Sequence, residues 1–262
     1  MCVCTFLVME HSYKHIHGKK NDGGHIGTSM FFAFPTGDFS PARSIGVRKA
    51  GSVRSERMVR RHGGMYVIGI DEAGRGPLAG PVVVGGVKVS IKRRAKNGKL
   101  LRGIKDSKKL SAKKRDEWFR VLTKNADIEW VVASVPPSEI DRINIHKATN
   151  KGVHLVYKKL AGRAAVPALL DGSLYLPKGI PYTTIIKGDE KIPIISAASI
   201  IAKVTRDRLM LRLHKKYPKY RFDIHKGYGT KLHIRFIKTY GLSPIHRRSF
   251  RRKTVGLYEA DV

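Results

Sequence analysis

The stretch Tyr66-Val67-Ile68-Gly69-Ile70-Asp71-Glu72-Ala73-Gly74-Arg75-Gly76-Pro77-Leu78-Ala79-Gly80-Pro81, followed by the apolar run Val82-Val83-Val84, decides how the chain is read. An apolar segment of strand length delivers two adjacent carboxylates, and a turn with two glycines around one arginine follows at once. Neighbouring side chains of a strand point to opposite faces, so Asp71 and Glu72 meet at one site only where the strand ends or twists away. Ala73-Gly74-Arg75-Gly76-Pro77 supplies that ending. Its glycines also let backbone N–H groups approach a ligand closely, with Arg75 as a forked donor between them. The stretch is therefore expected to form a metal site beside a phosphate or sugar contact.

Outward from this stretch, 262 residues with 42% hydrophobic content suffice for one large domain or two small ones with a packed core. Lysine and arginine number 52 against 20 acids, a formal net charge of +32 that points to a polyanionic partner, RNA or DNA, without specifying an activity. Cys2 and Cys4 are the only cysteines and form no paired framework, which fits a reducing, cytoplasmic location. No run approaches the roughly 18 apolar residues of a membrane span, so no membrane association is expected. Residues 1–64 lack sustained periodicity, and His11, His15, His17 and His25 stand without acidic or cysteine partners at ligand spacing. This segment is expected to be a leader with little packed structure, dispensable for a fold that begins at Met65. It carries ten Lys/Arg and four Asp/Glu, so +26 of the charge belongs to residues 65–262.

From Met65 onward the pattern is dense. Strands are expected over residues 65–71, 81–90, 128–135, 165–170 and 182–187. Helices are expected over 112–125 with Ser111 as N-cap, 139–160 with a break near Asn144, 193–215 and 230–240. Early strands on short connections, then strand–helix alternation, describe an α/β fold: a mixed five-stranded sheet flanked by helices, with a helical C-terminal extension over the last hundred residues.

Asp171 repeats the logic of Asp71, a carboxylate ending an apolar strand before a glycine, and acids at strand ends converge in open α/β sheets. A plain turn dipeptide is the competing explanation for Asp171-Gly172. Ser199, Lys203 and Asp207 lie four residues apart on one face of the 193–215 helix, apart from the apolar stripe of Ile194, Ala197, Ile201, Val204 and Leu211. That polar row faces either a wet site or bulk solvent, and Arg206 beside it reads as surface charge. Clustered carboxylates raise each other's pKa, so Asp71, Glu72, Asp171 and Asp207 together are favourable chiefly around a divalent cation. Oxygen ligands without zinc-type spacing indicate Mg²⁺ or Mn²⁺, two of which can clamp a phosphodiester undergoing hydrolysis. A basic binding protein without catalysis is the alternative, but it gains nothing from acids at a phosphate-binding surface.

The segment from Gly69 to Val83 resembles the first motif of bacterial ribonuclease HII, the type 2 ribonuclease H family. Further segments resemble that family in the same order: Asp106-Ser107-Lys108-Lys109-Leu110, Leu170-Asp171-Gly172, Lys187-Gly188-Asp189 with the helix from Ile195 through Ser199 and Lys203 to Asp207, His225-Lys226-Gly227-Tyr228-Gly229-Thr230, and His246-Arg247-Arg248-Ser249-Phe250. The resemblance covers residues 65–250 and leaves 251–262 as a basic tail. It implies a ribonuclease H-like sheet and a metal-dependent endonuclease. Such an enzyme cuts the RNA strand of RNA–DNA hybrids and incises duplex DNA 5′ to embedded ribonucleotides, leaving 3′-hydroxyl and 5′-phosphate ends. Carried over by motif, Asp71, Glu72, Asp171 and Asp207 are the metal-binding acids. Gly74, Arg75 and Gly76 contact the ribose 2′-hydroxyl and its phosphate, and Tyr228 stacks at the RNA–DNA junction. Lys108, Lys109, Lys187, Ser199, Lys203 and Lys226 join the expected substrate contacts. Arg75 favours ribonuclease HII over its sister family HIII, which prefers lysine there. The tail lacks a glutamine followed by paired aromatics, so no sliding-clamp motif is seen, and nothing demands an oligomer.

Overall fold

The computed structural model describes residues 5–8, 65–92, 101, 103–104 and 110–250. Six strands form one mixed sheet: β1 (Thr5–Val8), β2 (Tyr66–Ala73), β3 (Val82–Ser90), β4 (Ile128–Val135), β5 (Ala168–Asp171) and β6 (Tyr182–Ile185), in spatial order β1-β4-β3-β2-β5-β6. β2, β3 and β4 are antiparallel neighbours, whereas β5 joins β2, and β6 joins β5, in parallel. The five strands β2 to β6 are the sheet expected from the sequence. β1 is an additional edge strand, parallel to β4, contributed by the segment expected to pack little. The leader histidines, Lys108, Lys109 and the tail lie outside the described residues.

Seven α-helices are described: α1 (Ala112–Lys124), α2 (Pro137–Ile143), α3 (Ile145–Ala161), α4 (Gly188–Lys191), α5 (Pro193–Lys216), α6 (Phe222–His225) and α7 (Lys231–Tyr240). Ser111 caps α1 by accepting a hydrogen bond from the Lys114 N–H. Asn144 breaks the expected 139–160 helix: its backbone has φ 69°, outside the helical region, while its side chain caps α3 by accepting from the Lys147 N–H at 3.0 Å.

The two faces of the sheet carry separate cores. Ile68, Ile70 and Val84 pack with Val153, Val156 and Leu160 of α3. Val83, Val87 and Leu169 pack on the other face with Ile194, Ala197, Ile200 and Ile201 of α5. Adjacent Gly85 and Gly86 open one close approach on each face, because side chains alternate along a strand. A Cβ on Gly85 would lie 2.5 Å from the Ala198 carbonyl of α5, and one on Gly86 would lie 2.2 Å from Val156 of α3. The expected apolar stripe of α5 is buried except at Leu211, which is 43% exposed. At 24 residues, about 36 Å, α5 outruns the sheet, so its last turns have no strand beneath them. There it meets the C-terminal layer, in which Met210, Ala79, Tyr220, Phe222 and Ile245 form a small separate core.

Candidate metal and nucleic-acid site

The β2–β5 ladder ends at the pair Ile70↔Leu170, so Asp71 and Asp171 are the next residues on two adjacent parallel strands. Their side chains therefore emerge side by side. β5 stops at Asp171, and the Glu72 carboxylate reaches the same place. One carboxylate oxygen from each of Asp71, Glu72 and Asp171 lies within 4.8 Å of the others, the one such metal-capable cluster among the described residues. β2 continues through Ala73, so the two neighbouring acids share the site although both belong to the strand.

The surroundings fix these carboxylates individually. Asp71, 4% exposed, accepts from the Glu72 N–H at 2.7 Å and from the Ser199 hydroxyl of α5. Asp171 accepts from the Gly188 N–H at 2.6 Å and the Asp189 N–H at 3.4 Å at the start of α4. Glu72 is held by the Arg75 guanidinium at 3.4 Å, and its buried Oε2 meets no hydrogen-bond donor. Burial first, then the Glu72 and Asp171 charges, pushes the Asp71 carboxyl well above the usual carboxylate range. Glu72 is also raised by burial and by Asp171, against the lowering effect of Arg75. One buried and two partly buried acids, with a buried Glu72 oxygen that meets no donor, fit a hard divalent cation, whose charge removes the repulsion and whose coordination satisfies the oxygen.

Asp207 is not a member of that trio. It lies eight residues beyond Ser199 on α5, about 12 Å along the axis, and its carboxylate is paired with Lys203 at 2.8 Å. The polar row of α5 is thus divided: Ser199 touches the acids, while Lys203 and Asp207 form an ion pair farther along. The Lys203 ammonium also lies 5.8 Å from the ring centroid of Tyr228, which is 41% exposed beside this row. Lys187 is exposed, with a left-handed backbone at φ 54° before α4. The Lys226 ammonium donates to the Asp223 carbonyl in the turn that precedes Tyr228.

Arg206 corrects the expectation of surface charge. It is fully buried and donates to the carbonyls of Pro81 at 3.1 Å, Ala79 at 3.3 Å and Lys226 at 3.1 Å. Standing next to Asp207 in sequence, it is rotated about 100° around the helix and faces inward. Gly74, at φ 92°, leaves room for it: a Cβ there would lie 2.0 Å from Arg206 Nε. Arg247 stands out in the sequence only as part of a motif, yet its guanidinium donates to the carbonyls of Gly74 at 2.6 Å, Arg75 at 2.8 Å and Gly80 at 2.9 Å. The Gly227 carbonyl accepts from the N–H groups of Leu78 and Ala79, which docks the Tyr228 segment against the glycine turn. Ser173, which accepts from Arg75 at 3.3 Å, was also missed. No periodicity marks these partners, because each acts through a contact between distant segments.

The ribonuclease HII family model matches residues 68–253. The chain is similar to ribonuclease HII of Rickettsia africae, with 47% identity over 192 residues covering 73% of this chain and 94% of the relative. Among solved structures it is similar to ribonuclease H2 of Pyrococcus horikoshii, with TM-score 0.59, 30% identity and coverage of 75% of this chain and 100% of that one. A second is the PCNA:RNase HII complex from Archaeoglobus fulgidus, with TM-score 0.57, 30% identity and coverage of 70% and 93%. A match running from the first core strand through the C-terminal layer, at this identity and coverage, means that the chain belongs to the ribonuclease HII family, the type 2 ribonucleases H.

Proposed function

We propose that the chain is an endonuclease that hydrolyses the RNA strand of RNA–DNA hybrids and incises duplex DNA 5′ to embedded ribonucleotides, giving 3′-hydroxyl and 5′-phosphate ends by a two-metal-ion mechanism. The observation that carries this reading is the trio Asp71, Glu72 and Asp171, closed to within 4.8 Å beside the Gly74-Arg75-Gly76 turn in a chain of net charge +32. The trio would hold Mg²⁺ or Mn²⁺, with Asp207 as a further acid; such ions supply charge neutralisation and an activated water at a phosphodiester. Ser199 and the backbone N–H groups of Glu72 and Gly188 keep the carboxylates oriented. Arg75, tethered to Glu72, places a guanidinium between the acids and an incoming phosphate. The glycine turn contacts the ribose, whose 2′-hydroxyl alone separates RNA from DNA at one nucleotide. The exposed Tyr228 ring offers a sequence-independent platform for the sugar or base next to the cut.

Residues 65–250 would carry this activity, acting as a monomer in the cytoplasm, with hybrid and ribonucleotide-containing duplexes as partners. No described helix is long and apolar enough to cross a membrane. Three clustered acids oppose phosphate binding unless a cation joins them, which sets the enzyme above a purely binding protein. The test is cleavage of a duplex with one ribonucleotide and of a continuous RNA–DNA hybrid, side by side, with Mg²⁺ or Mn²⁺. Wild type should cut both, and Asp71→Asn should lose at least about a hundredfold, the scale on which removing one electrostatic stabiliser acts. An inactive wild type, or undiminished cleavage by Asp71→Asn, overturns the proposal.

A further inference from the structure

Every hydrogen bond recorded for the Arg247 guanidinium goes to one turn. It is 2% exposed, and its three guanidinium nitrogens donate to the carbonyls of Gly74, Arg75 and Gly80, while its own backbone N–H donates to the Leu78 carbonyl at 2.8 Å. A guanidinium is a planar fork, so it fixes directions as well as distances. Two of the carbonyls it holds belong to the peptide planes Gly74–Arg75 and Arg75–Gly76. Both peptides are trans, and in a trans peptide the C=O and the following N–H point in opposite directions. Holding these oxygens inward turns the N–H groups of Arg75 and Gly76 outward. Among the described residues neither N–H is recorded donating to a protein acceptor, and a Cβ placed on Gly76 would meet nothing within 4 Å. A carbonyl bonded to a cation also polarises its peptide, making the N–H on the other side a stronger donor. Arg206 braces the same turn, filling the space a Gly74 side chain would need.

We propose that Arg247 is the positioning residue for ribose recognition: it orients the two peptide planes that present the Arg75 and Gly76 N–H groups to the substrate, and so sets the preference for a ribonucleotide over a deoxyribonucleotide. The inference rests on the assignment of the glycine turn to the ribose. Arg247 is buried, and none of its recorded hydrogen bonds goes to the acid trio. Its replacement therefore acts on discrimination and KM, and an anchor that merely stabilised the fold would leave discrimination unchanged.

Arg247→Lys keeps the charge and removes the fork. Binding of a duplex with one ribonucleotide and of the same duplex in all-DNA form is measured for wild type and variant in Ca²⁺, with kcat and KM on the first duplex in Mn²⁺. The ribonucleotide preference should fall about tenfold and KM should rise, with kcat within about threefold of wild type, the scale of losing oriented hydrogen bonds. A variant that keeps the wild-type preference while its Tm drops, or that loses kcat at unchanged KM, overturns the role of Arg247. A wild type that binds both duplexes equally instead overturns the ribose assignment of the turn. Amide hydrogen exchange on wild-type protein gives a readout independent of whether the variant folds. The Arg75 and Gly76 amides should be protected by the ribonucleotide duplex and not by the all-DNA duplex, and equal protection by both counts against the inference.

Discussion

At the scale of single residues, the acid trio balances function against stability. Asp71 sits buried between Glu72 and Asp171, and its raised pKa reports that ionising it in the metal-free protein is unfavourable. An acid whose folded pKa lies above its unfolded value favours the fold at low pH and costs stability as pH rises through the folded value. At neutral pH the metal-free protein therefore carries strain at this site, which a cation relieves. Mn²⁺ at a hundredfold its Kd should raise Tm by about 5–10 °C, from roughly 2.7 kcal/mol of linkage in a protein of this size. Asp71→Asn should melt higher than wild type without metal and should lose most of the Mn²⁺-induced rise. Differential scanning calorimetry with and without the ion checks both; an unshifted Tm on adding Mn²⁺ would count against a metal at the trio. Asp71, Glu72 and Asp171 were legible because strand ends carry them in sequence. The burial of Arg206 is not legible in the sequence, because a charged residue beside Asp207 gives no hint that Ala79, Pro81 and Lys226 lie around it.

At the scale of elements, the site exists because α5 lies directly on β2 and β3. Gly69 and Gly85 make that possible: Cβ atoms there would lie 2.6 Å from the Ile194 carbonyl and 2.5 Å from the Ala198 carbonyl, both backbone atoms that cannot swing aside. Gly85 stands opposite Asp71 in the antiparallel ladder. The same close approach brings Ser199, one residue beyond Ala198, to the Asp71 carboxylate. Gly85→Ala should thus lift α5, costing about 1–3 kcal/mol by overpacking. Denaturant unfolding should show that loss, together with a cleavage defect that added metal does not rescue. Full activity and unchanged stability would mean that the helix seat is softer than the distances indicate. The strands and long helices were readable from period and caps, including the break at Asn144. α4 and α6, four residues each, were not, because one turn carries no period and forms only when tertiary contacts hold it.

At the scale of the molecule, three buried histidines hold the C-terminal layer to the turn region. His233 Nδ1 donates to the Tyr228 carbonyl at 2.9 Å, so its Nε2 is an acceptor and receives the His246 Nε2–H at 3.0 Å. His246 Nδ1 is then left to accept from the Ser243 N–H at 2.9 Å and its hydroxyl at 2.8 Å. His225 donates through Nε2 to the Tyr220 carbonyl and accepts at Nδ1 from the Gly227 N–H, with its ring stacked 4.2 Å from that of His233. Every ring nitrogen is committed in the neutral form, and a second proton on any ring would face a donor. Burial accordingly pulls His233 down to about 3 and His246 to about 4, with His225 also lowered. The unfolded chain takes up protons near the ordinary histidine value while the folded one does not. This contribution to stability is fully present above about pH 6.5 and is lost as pH falls toward 3–4. His246→Gln retains an N–H for His233 and removes one titrating ring. In denaturant titrations between pH 7 and 5, its stability should fall less steeply than wild type's, by about one proton's worth of slope. The acids contribute equally to both proteins and cancel in that comparison; identical slopes would exclude His246 as a source of the acid sensitivity.

The sequence by itself determined the layered α/β plan, the basic character that calls for a nucleic acid, and the strand-end acids next to a glycine turn. All of these are local: periods of 2 and 3.6, charge totals, and residues adjacent in the chain. Only the tertiary structure decided which acids meet. The parallel β2–β5 register brings Asp71 to Asp171, while Asp207, about two turns beyond Ser199 on α5, pairs with Lys203. It also decided that Arg247, more than 170 residues from Gly74, holds the turn from behind. Contacts closed across such distances leave no pattern along the chain, because the chain determines them only once both cores and the C-terminal layer have packed.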